Sequence, residues 1–169
     1  MFAGRLSEEK GLRTLLEAWR NIPDIPLKIA GDGPLRSFVE TRVSTLRQVE
    51  YLGRCERHRV IELLKQARFL VFPSEWYEGL PMVIVEALAC GTPVLASALG
   101  SMTELIQDGT NGYFFEPGNP DNLAACIKLV LANGRDMRKA ARLSYERNYT
   151  PERNYELLMN IYGNASSTA

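Results

Sequence analysis

The sequence predicts a doubly wound, mostly parallel α/β domain with extra C-terminal helices, and three observations carry that expectation. Short β-rich runs alternate with single helical stretches. Three of the loops that follow such runs are rich in glycine, proline and charge. The 169 residues, 46% of them apolar, suffice for one buried core and are read as one domain over 1–169. Strands joined by single helices make βαβ units, because parallel neighbours need a crossover and the crossover packs on the sheet.

Met1-Phe2-Ala3 reads as the last residues of a strand and runs at once into Gly4-Arg5, as expected of a chain cut from a longer protein. Leu12, Leu15, Leu16 and Trp19 recur at helical spacing, followed by strands over Leu27 to Ala30 and Val49 to Leu52. A helix containing Val60, Leu63, Leu64 and Ala67 precedes a strand from Phe69 to Phe72. Met82 to Ala89 reads as helix, Pro93 to Ala96 as strand, and Tyr113 to Phe115 as the last strand. Beyond it, Pro120 to Ala132, Arg135 to Arg147 and Thr150 to Tyr162 read as three helices, with Asn133-Gly134 and Pro151 as breaks. Tyr155, Leu158, Met159 and Tyr162 share one face of the last helix, a surface for a domain outside this chain. Asn164 to Ala169 is a polar tail expected to fray.

Twenty basic and twenty acidic side chains cancel, so no global field draws the protein to nucleic acid, and any anion must be held locally. Cys55, Cys90 and Cys126 are odd in number and form no CxxC pair, which suits reduced thiols in a cytoplasmic setting better than disulfides or zinc. No apolar run approaches a membrane span.

In open parallel sheets, ligands gather beyond the carboxyl ends of the strands. Glu86 is the one charged residue in the apolar segment Met82 to Cys90. An ionised group there needs a partner, either an arginine or a ligand offering hydroxyl donors such as the diol of a ribose. Glu78 lies in the preceding loop, so two carboxylates face one crevice. Gly79 allows close backbone approach, and the following helix start offers the amides of Leu80, Met82 and Val83 to phosphate, Pro81 having none. Arg5 and Lys10, in the loop Gly4 to Gly11 of the neighbouring strand, are either the cations that complete this anion seat or ordinary surface charges on a turn.

The run Glu78-Gly79-Leu80-Pro81-Met82-Val83-Ile84-Val85-Glu86, continuing through Cys90-Gly91-Thr92-Pro93-Val94, resembles the signature of the family 4 (group 1) retaining glycosyltransferases, in which seven residues separate two glutamates. Gly4-Arg5, Lys10-Gly11, Gly31-Asp32-Gly33-Pro34, Tyr51-Leu52-Gly53, Pro73-Ser74, Thr103 to Ile106 and Asp108 to Gly112 follow the same family in order. The resemblance implies a Rossmann-like half of a two-domain GT-B fold, the half that binds a UDP- or GDP-sugar donor, its N-terminal acceptor domain lying outside this chain. It further implies that Glu78 contacts the transferred sugar, Glu86 the ribose, Arg5 and Lys10 the diphosphate, and backbone near Cys55 the base. No metal and no cofactor is implied, the nucleotide sugar being a substrate. A non-catalytic nucleotide-sugar-binding module, or an epimerase or phosphorylase of related architecture, are the alternatives. Gly100-Ser101 departs from the glycine pair common in the family.

Other features read as structural. Gly31-x-Gly33 lacks the third glycine of a dinucleotide fingerprint, position 36 being Arg, and is expected to be a turn. His58, the only histidine, is read as exposed. Arg135, Arg138, Lys139 and Arg142 fall at i, i+3, i+4 and i+7. That spacing gives a solvated basic stripe, with weak membrane-surface contact in the full-length enzyme as the alternative.

Overall fold

The computed structural model describes the backbone of residues 1–166, and the side chains of all of these except 133–136 and 163–166. Among the described residues six strands form, β1 (Phe2–Ala3), β2 (Leu27–Ala30), β3 (Val49–Gly53), β4 (Leu70–Phe72), β5 (Val94–Ser97) and β6 (Gly112–Phe115). The helices are α1 (Leu12–Arg20), α2 (Arg36–Val43), α3 (Arg57–Gln66), α4 (Met82–Ala89), α5 (Met102–Leu105), α6 (Pro120–Asn148) and α7 (Pro151–Ser166), with a 3-10 turn at Glu8–Lys10.

β1, β2 and β3 pair in parallel, as do β4, β5 and β6. Met1 joins the two triplets: its nitrogen donates to Phe69 O at 2.9 Å and its carbonyl accepts from Val71 N at 2.8 Å. The resulting order is β3-β2-β1-β4-β5-β6, in which the direction of winding reverses between β1 and β4. Ligands in such sheets collect at this reversal, because the loops leaving the two central strands diverge to opposite faces and open a crevice.

Alternation along the strands builds a core on each face. Phe2, Ile29, Val71 and Leu95 pack with α1 and the first half of α6, where Leu12, Leu15, Trp19, Leu123 and Ile127 are buried. Ala3, Ala30, Leu70, Phe72, Val94 and Ala96 pack with Leu63 and Leu64 of α3 and with Ile84, Val85 and Leu88 of α4. The Leu12, Leu15, Leu16 and Trp19 stripe is buried as its spacing predicts.

The break expected at Asn133-Gly134 does not occur: α6 is one helix of 29 residues. Asn119 caps it, accepting from Asn122 N at 2.9 Å, and Pro120 occupies the first turn, where no amide is missed. A helix-interior glycine costs about 1 kcal/mol. Burial of Leu123, Ile127, Val130 and Met137 in one core and Ala141 in the other outweighs that, since each large apolar side chain contributes roughly 1.5–3 kcal/mol.

The solvated basic stripe holds at Lys139 and Arg142, which are exposed, while half-buried Arg138 departs from it, and both arginines bond backbone carbonyls. Arg138 donates to Ala67 O at 2.8 Å and Lys65 O at 3.1 Å, and Arg142 to Ala89 O at 2.5 Å and Glu146 Oε1 at 2.7 Å. Both arginines satisfy the free carbonyls that end α3 and α4, where the helix dipole favours a cation. Lys139 is exposed, and the side chain of Arg135 lies outside the described residues. Arg138→Ala is expected to lower stability by about 1–2 kcal/mol through two orphaned carbonyls, measured by urea denaturation; Lys139→Ala is expected to change it by less than about 0.5 kcal/mol.

Tyr155, Leu158 and Met159 of α7 are exposed, together with Leu157 and Ile161. Residues 167–169 of the tail read as fraying lie outside the described residues. Among the described residues no helix is long and apolar enough to cross a membrane.

Candidate functional site

The loops leaving β1 and β4 are stapled together before any ligand is considered. Glu9 O accepts from Glu75 N at 2.9 Å and lies 3.0 Å from Ser74 Oγ, and Thr14 Oγ1 donates to Glu75 Oε1 at 2.6 Å. Gly11 lies at φ 64° with its Cα facing the Pro73 carbonyl, so that any Cβ would overlap that oxygen. The β1 loop is held from its other side by the turn after β2. Leu6 N donates to Asp32 O at 2.9 Å and Leu6 O accepts from Leu35 N at 2.8 Å, and Gly31 lies too close to the Gly4 carbonyl for a Cβ. The turn expected at Gly31 to Pro34 therefore has a definite purpose: it carries the backbone on which Arg5 sits.

Between these loops lies a cleft of about 460 Å³ lined by Arg5, Glu9, Lys10, Phe72, Glu78 and the start of α4 at Pro81, Met82 and Val83. Lys10 Nζ lies 2.5 Å from Glu78 Oε1 and 5.4 Å from the centre of the Phe72 ring, the side chains of the pair being only about one-fifth exposed. Ser74 Oγ donates to the same Glu78 oxygen at 2.7 Å. Arg5 is exposed, and among the described residues it makes no hydrogen bond or ion pair.

Glu9 is a third carboxylate, one the sequence did not single out. The Ser7 hydroxyl at 2.5 Å, followed by the backbone and by Arg5 and Lys10, holds its pKa below the usual carboxylate range. The cleft as it stands is thus balanced, two cations facing two carboxylates. An incoming polyanion must find its extra field in the amides of Met82 and Val83 at the α4 start, where Pro81 supplies no capping side chain.

A second recess of about 270 Å³ adjoins the first and shares Ala3, Gly4 and Val83 with it. Its other walls include Gly31, Arg54, Cys55, Val60 and Glu86. Glu86 is paired with Arg57, whose Nε lies 2.9 Å from Oε1, so the arginine alternative read from the sequence is realised while the carboxylate also lines the recess. Cys55 is half-buried with Sγ near Gly53 O. Burial raises the thiol pKa of Cys90 and of Cys126 above the ordinary value.

Of the residues predicted for the site, Arg5, Lys10, Glu78, Pro81, Met82 and Val83 meet in one cleft, and Cys55 and Glu86 in its extension. Gly79 and Leu80 do not line either recess. They lie in an exposed tip beside Trp76 and Tyr77, 67% and 81% exposed, and no atom approaches the Cβ position of Gly79. Ser101, where the family often has glycine, donates its hydroxyl to Glu78 O at 3.0 Å and so ties the tip to α5. His58 is exposed, as read.

A larger groove, about 670 Å³, lies between α1 and α2 and is lined by Arg13, Glu17, Arg20, Phe38 and Arg42 among others. It is lined by α1, α2 and the start of α6, and Arg13 and Arg20 are already paired with Glu8 and Glu17. Size alone does not make it the stronger candidate.

A parallel sheet wound in this order, with its crevice at the reversal, defines a Rossmann-like domain of the kind that forms one half of GT-B glycosyltransferases. The chain belongs to the family described as glycosyl transferases group 1, whose model matches residues 1–147. An uncharacterized glycosyltransferase of Methanocaldococcus jannaschii is 38% identical over 141 residues, 82% of this chain and 39% of that protein. The sucrose-phosphate synthase structure from Thermosynechococcus elongatus superposes with a TM-score of 0.87 at 26% identity, over 99% of this chain and 45% of that one. The fold is also that of Anabaena HepE, solved in complex with UDP, with a TM-score of 0.82 at 24% identity over 96% of this chain and 48% of that one. The chain spans less than half the length of each of these proteins.

Proposed function

We propose that the chain is the donor half of a retaining glycosyltransferase, holding a UDP- or GDP-sugar across the two joined recesses. The observation that carries this is the convergence of Arg5, Lys10, Glu78 and the α4 start in one cleft that borders, at Ala3, Gly4 and Val83, the recess lined by Glu86 and Cys55. The diphosphate lies against Arg5, Lys10 and the amides of Met82 and Val83, the ribose against Glu86, and the base against backbone near Cys55. Glu78 receives sugar hydroxyls.

Breaking the anomeric C–O bond leaves an oxocarbenium-like sugar and a diphosphate gaining charge, so the largest available effect is electrostatic stabilisation of the leaving group. Lys10 then exchanges Glu78 for a phosphate oxygen, and Ser74 keeps Glu78 in place. Attack comes from the face the diphosphate leaves, with the leaving phosphate taking the acceptor hydroxyl's proton; Glu78 positions the sugar and forms no bond to it. Arg5, Lys10 and the helix amides supply the neutralisation, and transfer is metal-independent. The acceptor binds a domain contributed by the rest of a longer cytoplasmic protein, against which the apolar face of α7 packs, and this chain alone does not transfer.

Isothermal titration of the chain with UDP-, GDP- and sugar-linked donors, paired with a transfer assay on the full-length protein, tests the proposal. Micromolar binding together with transfer supports it. Binding without transfer identifies a binding module instead, and product formed without an acceptor alcohol identifies an epimerase.

A further inference from the structure

We propose that Arg57 is a positioning residue for ribose recognition, holding Glu86 in the orientation that accepts a 2′-hydroxyl. Arg57 is the first residue of α3, and its Nε donates at 2.9 Å to Oε1 of Glu86, which lines the recess while Arg57 itself does not. The two side chains differ sharply in environment, Arg57 being 79% exposed and Glu86 17%. Arg57 therefore contributes little to the core, and its one bond is to the carboxylate that the apolar α4 leaves at the edge of the recess.

The location of Arg57 is unfavourable on local grounds. The first turn of α3 carries Arg57, His58 and Arg59 and no acid, although the positive end of the helix dipole disfavours cations there. The compensation visible for Arg57 is Glu86. A carboxylate offers about four lone-pair directions, and Arg57 occupies one of them on Oε1. Among the described residues no other donor bonds this carboxylate. Oε2 is left for a diol, while the charge-assisted bond stops the side chain from rotating out of plane with it. Arg54, also on the recess wall, is bonded to neither oxygen.

Because this role rests on the nucleotide-sugar assignment, the test separates the two. The chain is titrated calorimetrically with UDP and GDP and with their 2′-deoxy counterparts, as wild type, Arg57→Ala, Arg57→Lys and Glu86→Gln. Wild type is expected to favour the ribose form by roughly tenfold, the worth of one charge-assisted hydrogen bond. Arg57→Ala is expected to reduce that preference about threefold or more, with the lowered melting temperature that an unpaired Glu86 brings, and Arg57→Lys to restore part of both. In the Glu86→Gln background Arg57→Ala is expected to add nothing. An unchanged ribose preference in Arg57→Ala, or equal weakening of both nucleotide forms, overturns the role of Arg57 alone. Failure of the wild-type chain to bind either nucleotide overturns the donor-site assignment and this role with it.

Discussion

Lys10→Ala is expected to lower transfer by the full-length enzyme roughly 10²–10³-fold, the loss typical of removing one preorganised group aimed at developing negative charge. Lys10 is the cation best placed for this, since it is mostly buried in the cleft and lies over Phe72, where a charge is less screened than at the surface. Its removal also leaves Glu78 with Ser74 as its remaining side-chain partner, so some destabilisation is expected from the unpaired carboxylate. The double variant Lys10→Ala, Glu78→Gln isolates the stability effect: melting temperature should recover, and transfer, which Glu78 itself serves, is read from the single Lys10→Ala variant. Full transfer in Lys10→Ala would remove the leaving-group role from this residue.

Gly11→Ala should be among the most damaging single-methyl changes in the site. The residue holds φ 64°, which alone costs a non-glycine residue about 1 kcal/mol, and its new Cβ would overlap the Pro73 carbonyl oxygen. Relief requires the β1 and β4 loops to separate, breaking the contacts of Glu9 O with Ser74 and Glu75. A loss of ~3 kcal/mol lowers the melting temperature by roughly 6–12 °C for a chain of this size. Nucleotide affinity should fall with it, because Lys10 and Glu78 sit on the two loops that part. Gly79→Ala, in open space at the exposed tip, serves as the control and should leave the melting temperature unchanged within about 2 °C.

What the sequence made legible follows the strength of the local signal. The buried parallel strands announce themselves as short apolar runs: β2 has the expected bounds, and no end of β3 to β6 departs from its expected place by more than one residue. α2 was not singled out because only Val39 of its eight residues is buried, so no apolar period marks it. Asn133-Gly134 reads as a break on propensity, yet burial on both halves of α6 overrides it. The carboxylates and cations of the cleft were legible because glycine, proline and charge cluster at strand ends. Glu9 was not, since an acid in a turn beside Ser7 looks like any other surface acid until the fold brings it to Ser74 and Glu75. The carbonyls that Arg138 and Arg142 cap are hidden from the sequence for a related reason, since they lie 71 and 53 residues away.

The crevice at the β1/β4 reversal competes with a larger groove between α1 and α2. The measurement that decides between them is backbone chemical-shift mapping of the chain titrated with UDP and with GDP. Saturable shifts centred on Gly4 to Gly11, Ala30 to Gly31, Gly53 to Val60 and Ser74 to Glu86 are predicted. Shifts centred on Arg13, Phe38 and Arg42, with the crevice unperturbed, would contradict the nucleotide-sugar site.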